Sequence, residues 1–477
     1  MARHATRLPS APGSRDWLGS ARDGALLALF AALAFSISLS QLLVAALSVL
    51  LLPWRGAPGA AGGTATSVAL LPRLLAAGER ARRHPLTPPL AAYAGWTLLS
   101  AALSGNPGWS FWIARDLLRA AVLYLVLAGT HDGRHAVRLW QAFLAALTLM
   151  AGYGLVQAYV CAAGPTGGLA GWAGALCTHA RRIRGPFSIY MTFGGVLLLG
   201  VLVFLAHLAN TPWRRAWWMV PGATVTVLAL AFTYSRNAWL GLAAGVLGLL
   251  VTARRTVRVV AILAVVLAAA SIVIPGTVAD RVRSTVNLQD PTIRDRVAMW
   301  RAGLSMIADH PLFGVGPGEV RAWYQHYRRP EAIRPSTGHL HNSAVQIAAE
   351  RGLPALLAWL WLWLTFFREG WRVLGRLGAA PSVRRGLVSA SLGGVAGFLV
   401  AGLFEYNFGD GEVVMVVYAL MALPWIVDRD LDRPDAAPAP PAAAPARVPS
   451  GRTEVVAGLA APRRPARLSA PAAPPAR

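Results

Sequence analysis

The feature that most constrains this chain is a succession of apolar runs, each about twenty residues long, joined by short arginine-bearing connections. A helix needs about 20 apolar residues to cross hydrocarbon, and no water-soluble core accommodates so many such runs. They fall at 87–104, 112–129, 136–160, 187–208, 216–234, 237–252, 258–275, 343–367, 385–405 and 412–428. Residues 24–53 would extend about 45 Å as one helix at 1.5 Å per residue, too long for one crossing and short for two. The polar Ser36–Gln41 stretch predicts a break into two short helices. The expectation is an all-α integral membrane protein of about twelve spans. Only 14% of residues are charged, against about 25% in soluble domains.

The charges orient the spans. The formal net charge is +24, and every basic residue is arginine. These arginines sit in clusters between apolar runs, the pattern of cytoplasmic loops rather than of a nucleic-acid groove, so no nucleic-acid partner is expected. With the N-terminus inside, Arg73 to Arg83, Arg134 and Arg138, Arg214 and Arg215, Arg254 to Arg258, and Arg368 to Arg385 all face the cytoplasm. The chain then divides into an internal N-terminus (1–23), nine spans (24–275), a long external loop (276–342), three spans (343–428) and a tail (429–477). The tail is Pro/Ala/Arg-rich and cannot bury a core; it reads as disordered, internal and resting on anionic membrane lipids.

Two external segments break the charge rule: the loop 161–186, with Arg181, Arg182 and Arg184, and the long loop 276–342. The first holds both cysteines, Cys161 and Cys177, and an oxidising exterior permits a bridge between them. Closing its roughly 15-residue loop is worth up to ~3 kcal/mol in the chain-entropy model. Arg184 in RIRGPF precedes a span, a place also suited to a snorkelling arginine. Arg236 in TYSRNAWLG occupies a turn so short that its charge is costly at membrane depth, which makes function its default reading. The long loop carries an amphipathic helix with Val297, Trp300, Leu304 and Ile307 at helical spacing. The following GVGPG, 314–318, lacks the phosphate-loop form and reads as a tight turn.

At the mouth of the next span stands GHLHN, with His339, His341 and Asn342. Outward guanidiniums suit a phosphate or pyrophosphate carried on a lipid. A neutral imidazole supplies what arginine cannot, a site that accepts a proton. A histidine near a helix start is otherwise a surface or capping group. Glu350, inside the apolar helix, either orients a histidine or meets a polar group on a neighbouring helix.

These residues resemble the O-antigen ligase/polymerase superfamily, membrane glycosyltransferases of the GT-C type. Its pattern couples a His followed by Asn, Ser or Gln to a Gly after nine intervening residues. Here His341–Asn342, SAVQIAAER and Gly352 fit, while Ala355 departs from the usual Gly, Thr or Tyr. DHPLFGVGPG (309–318), TYSRNAWLG (233–241) and RIRGPF (182–187) are similar to the family's other motifs, and the likeness covers residues 24–428. It implies an inner-membrane enzyme, a monomer with both termini cytoplasmic and the loop 276–342 periplasmic. The family transfers an undecaprenyl-pyrophosphate-linked glycan to an acceptor, lipid A-core for ligases and the growing glycan for polymerases; a related branch glycosylates protein. No cofactor and no metal are expected, and the external acidic residues Asp290, Asp295 and Asp309 are scattered.

The chemistry implied is inverting. Arg184, Arg236 and a further arginine, Arg301 or Arg321, stabilise the leaving pyrophosphate, and a histidine is the general base. The family pattern selects His341, but two residues shift a helix face by about 200°, so His339 stays open. A transporter is the rival of a different class, yet it would place its charges along a midplane pathway, and here they cluster at one face.

Overall fold

The computed structural model describes residues 17–51, 79, 81–163, 182–252 and 289–433. These residues form helices and connecting loops, with no strand among them. The expected span 258–275, residues 276–288 of the external loop and the tail from 434 lie outside the described residues.

In chain order the helices are α1 (Trp17–Ala32), α2 (Ile37–Leu50), α3 (Thr87–Ala102), α4 (Pro107–Ala114), α5 (Ala121–Gly129), α6 (Gly133–Ala163) and α7 (Tyr190–Asn210). There follow α8 (Val220–Phe232), α9 (Arg236–Thr252), α10 (Pro291–Asp309), α11 (Val320–Tyr327), α12 (Ser343–Arg376), α13 (Val383–Gly402), α14 (Gly411–Met421) and α15 (Leu423–Leu431). Among the described residues, six helical segments are long and apolar enough to cross a membrane: Gly133–Cys161, Tyr190–Asn210, Trp213–Phe232, Ser343–Arg376, Val383–Gly402 and Gly411–Leu431. The helices Ile37–Leu50 and Arg236–Thr252 are apolar but shorter.

Several expected boundaries move, each for a local reason. The break in residues 24–53 falls at 33–36, earlier than expected, because Ser36 caps α2 and accepts from the Leu39 N–H at 3.3 Å. The expected span 112–129 is a broken helix: α4 gives way to a 3₁₀ segment, Arg115–Ala120, before α5. That segment carries an Asp116–Arg119 ion pair (2.7 Å), and Arg119 also donates to the Gly409 carbonyl (3.1 Å). Residues 429–431, expected in the tail, finish α15, where Arg429 donates to the carbonyls of Leu127 and Thr130.

Packing centres on α7, buried along almost its whole length. Beside it, α9 and α13 meet on glycine. A methyl on Gly241 would lie 2.6 Å from the Gly397 carbonyl, and one on Gly245 2.9 Å from that of Gly393. Small residues bring backbones together in the way membrane helices without a hydrophobic driving force require. A separate apolar cluster joins α10 and α11 to the start of α12 through Met299, Met306, Val320, Tyr324 and Leu340. The predicted face of α10 is rotated. Ala298, Met299, Ala302 and Met306 are buried, Val297, Trp300 and Ile307 are partly buried, and Leu304 is 58% exposed. The small residues let α10 approach closely: a methyl on Gly303 would meet Leu340 and Val345 at 2.6 Å.

Candidate functional site

The site is assembled around a break in α12. Asn342 caps the helix by accepting from the Val345 N–H (3.0 Å), and its amide donates to the Leu403 carbonyl (3.0 Å). Ten residues on, Gly352 adopts φ 80°, ψ 172°, and the helix kinks. The kink frees carbonyls of the preceding turn. Val315 N–H donates to Ala349 and Gly316 N–H to Glu350, both at 2.9 Å, while Leu353 N–H donates back to Pro311 (2.8 Å). Gly352 is required sterically, since a methyl there would lie 1.8 Å from the Leu312 carbonyl oxygen. The stretch 314–318 is the tight turn expected, with φ of 66°, 110° and 78° at Gly314, Gly316 and Gly318. The spacing from His341 to Gly352 therefore has a physical basis: a cap at one end of a short helical rod and a docking notch at the other.

Within this rod Glu350 accepts from the Gly318 N–H (2.9 Å), Gln346 Nε2 (2.7 Å) and Arg351 (2.6 Å). It touches neither histidine. Its influence passes through Gln346, whose Oε1 accepts from the Leu340 N–H (2.7 Å) between the two histidines.

His341 is buried, with a left-handed φ of 50°, a strained conformation for a side chain other than glycine. Its Nδ1 lies 2.8 and 3.0 Å from the two oxygens of Glu405. A carboxylate only accepts, so Nδ1 carries a proton, and in the neutral ring Nε2 is then the accepting nitrogen. Glu405 stands just past α13 and also accepts from the Tyr406 N–H (3.1 Å). Burial alone would raise its carboxyl, but the His341 hydrogen bond and the nearby charges of both histidines and Arg296 bring it below the usual value. His339 packs against His341 at 4.3 Å between ring centroids, with its Nδ1 3.5 Å from Glu405. Burial pushes His339 down to about 4, against the pull of Glu405.

On one side of Glu405 lie arginines. Arg296, from α10, approaches Glu405 at 3.5 Å, and Arg236, at the start of α9, approaches Asp290 at 3.4 Å. Burial, countered by Glu405 and reinforced by Arg236, lowers the Arg296 guanidinium from its usual value. Both contacts are longer than the 2.7–2.9 Å of a tight charged hydrogen bond. Arg296 and Glu405 escaped the reading of the sequence. Arg184 is half-buried, and its backbone N–H donates to Gln157 (3.1 Å). Arg301 pairs with Glu331 (2.9 Å) with 60% of its side chain exposed. Cys161 is in the last turn of α6; its expected partner Cys177 lies outside the described residues.

Glu405 also borders a cavity of about 530 Å³, whose lining includes His339, Gln346, Tyr406, Arg119, Thr192, Asp410 and Glu412. Of the arginines expected from sequence, only Arg321 lines it. His339, His341 and Glu405 offer ligand atoms within 4.8 Å of one another and could hold a divalent cation, although Arg296 competes for the same carboxylate. Asp23, His131 and His135 form a second such group.

Fold and site together define a multi-pass, all-helical membrane protein whose charged cluster gathers at the caps of its helices. Residues 221–360 match the family model described as O-Antigen ligase, a match that supports membership of the O-antigen ligase superfamily. The matched segment holds Arg236, Arg296, the 314–318 turn, both histidines and Gly352. No curated protein matches the chain.

Proposed function

We propose that this protein is an O-antigen ligase of the inner membrane. It transfers a glycan from undecaprenyl pyrophosphate to lipid A-core at the periplasmic face, with both termini cytoplasmic. The observation that carries the reading is the buried His341–Glu405 pair beside Arg296 and Arg236. The acceptor hydroxyl attacks the anomeric carbon as the bond to the pyrophosphate oxygen breaks, inverting the configuration. His341 Nε2 takes the hydroxyl proton, and Glu405 holds the ring and stabilises the imidazolium that forms, the division of labour of a histidine–carboxylate pair. Arg236 and Arg296 receive the leaving pyrophosphate, their planar forks matching phosphate oxygens better than a point charge does. Arg184 and Arg321 serve the donor more remotely, and Arg301 is assigned to its pair with Glu331. This assignment gives the leaving-group charge to guanidiniums, so transfer continues in EDTA.

The test is transfer by the purified protein from a lipid-linked donor to lipid A-core, in EDTA, with wild type and Arg296→Lys. Product of inverted configuration, with turnover strongly reduced in the lysine variant, is the expected result. Full activity in Arg296→Lys removes the arginine assignment. Extension of the donor glycan with lipid A-core left unmodified identifies a polymerase instead.

A further inference from the structure

Among the described residues, two groups of side chains bring three ion-ligand atoms within 4.8 Å of one another. One is Asp23, His131 and His135 beside the start of α6; the other is His339, His341 and Glu405 beside the start of α12. Ring geometry separates them. An imidazole ligates through a lone pair in its own plane, so two rings share an ion only where their planes cross close to both. The His131 and His135 rings are stacked, 24° apart at 4.9 Å between centroids, and their planes do not cross near either ring. His339 and His341 cross at 63° with centroids 4.3 Å apart. Both bring Nδ1 to the same carboxylate, His341 at 2.8 Å and His339 at 3.5 Å from Glu405. Zn–N and Zn–O bonds of about 2.0–2.2 Å put the atoms of a tetrahedral set about 3.4 Å apart, so the group needs little adjustment to close on an ion. His339 Nδ1 is a second, independent sign: it is shut off from solvent and makes no hydrogen bond. His339 and Glu405 both line the cavity, which gives an ion a way in.

We propose that His339, His341 and Glu405 bind a divalent transition metal of the zinc class, and that the ion switches transfer off. The metal site stands on its own geometry; its inhibitory effect rests on the glycosyl-transfer reading above. Two imidazoles and one carboxylate suit Zn²⁺, Co²⁺ or Ni²⁺, whereas Mg²⁺ and Ca²⁺ prefer oxygen ligands. The ion takes the place of the proton between His341 and Glu405. That proton leaves Nδ1 and passes through solvent to Nε2 of the same ring. The metal–Nδ1 bond forms at the vacated lone pair, and the ring stays neutral. Nε2 then carries a hydrogen and cannot take one from the acceptor hydroxyl. Glu405 exchanges a hydrogen bond for a metal bond, and His339 supplies the third ligand. Three protein ligands leave one tetrahedral position for water. Arg296 limits the affinity, because its guanidinium lies 3.5 Å from the same carboxylate and repels the ion. The active form is the metal-free one.

The experiment uses tag-free, full-length protein in nanodiscs, stripped with EDTA and then freed of chelator, with Zn²⁺ or Mg²⁺ as the probe. Calorimetry should show Zn²⁺ binding equally to wild type and to His131→Ala, which removes the other group. Binding should weaken at least about tenfold in His339→Ala and in Glu405→Gln, the lower bound even for losing a group that only supports a ligand. Wild type loaded with Co²⁺ should show the visible absorption of four-coordinate cobalt, a readout that needs no variant to fold. In the transfer assay, saturating Zn²⁺ should slow wild type about 10²-fold or more, as loss of a general base does. Mg²⁺ should have no such effect, and EDTA should restore the rate. The residual transfer of His339→Ala should need at least about tenfold more Zn²⁺ for half inhibition, which separates this site from capture of the ion by the donor pyrophosphate. Zn²⁺ binding left unchanged in both His339→Ala and Glu405→Gln overturns the proposal, as does equal inhibition by Mg²⁺. Acceleration by Zn²⁺, or full activity with the site filled, overturns it as well. Zn²⁺ bound and lost as expected, with no transfer by metal-free wild type, overturns the ligase reading and leaves the metal site standing.

Discussion

Helix α12 carries charged residues at both ends, in opposite settings. At the site end, Glu350 and Arg351 are paired at 2.6 Å with side chains 3% and 6% exposed, wedged beneath the 311–318 turn. At the far end, Arg368, Arg372 and Arg376, all partly exposed, spread over the buried Glu369 and over Asp428 and Asp432. The residue types are the same and the bonds are similarly short. Burial separates their roles. An exposed pair is screened by water and salt, so the far cluster adds little to stability. A buried pair is fixed in geometry, and losing one partner leaves a charge without water, at a cost of about 3–5 kcal/mol. The same division separates Arg296, folded in against Glu405, from Arg301, which faces the surface on the same helix.

The largest effect is expected at the notch. Gly352→Ala places a methyl against the Leu312 carbonyl at a position already in the left-handed region. It should displace the 311–318 turn and abolish transfer, with chymotrypsin cleavage of that turn at Phe313 accelerated many-fold. A variant that is active and protease-resistant would remove the notch from the account. Next, Arg351→Ala should lower stability by about 3–5 kcal/mol, read in detergent unfolding, and pairing it with Glu350→Gln should restore part of the loss.

Acidification gives a smaller effect of defined sign. The folded state holds His339 near 4, while the unfolded chain binds its proton near 6.5. Between these values the unfolded state carries more protons, so stability falls as pH drops from 6.5 toward 4. His84, also held near 4 by burial, acts in the same direction. His339→Asn should therefore flatten the decline of Tm over that window without removing it; an unchanged slope contradicts the assignment. The smallest effect is expected at the far end, where water screens the pairs of Arg376 and Arg376→Ala should leave Tm and turnover nearly unchanged.

What the sequence disclosed follows from distance along the chain. The apolar runs, the short turn at Arg236 and the HLHN cluster are local patterns, and local patterns can be read. Glu405 is 64 residues from His341, and their contact exists only because α13 returns the chain to the start of α12. In the sequence Glu405 is marked only by the acidic stretch from Glu405 to Glu412. Arg296 stood in plain view in RDRVAMW, but charge alone does not distinguish it from Arg294 or Arg301. The buried stripe of α10 makes that choice, and it runs through small residues that a search for large apolar ones passes over. The break at 115–120 has a related cause: Arg119 of the Asp116–Arg119 pair donates to the Gly409 carbonyl on a distant loop, a contact that local hydropathy does not encode.

The central claim is that His341 accepts the acceptor proton while the arginines behind Glu405 hold the donor. The most direct measurement compares, on the same purified protein, the affinity for the lipid-linked donor and the rate of transfer for His341→Ala, His339→Ala and Arg296→Lys. The account predicts that His341→Ala keeps donor affinity and loses transfer by about 10²–10⁴-fold, that His339→Ala loses less, and that Arg296→Lys loses donor affinity. Near wild-type transfer by His341→Ala, with product of unchanged stereochemistry, would contradict it.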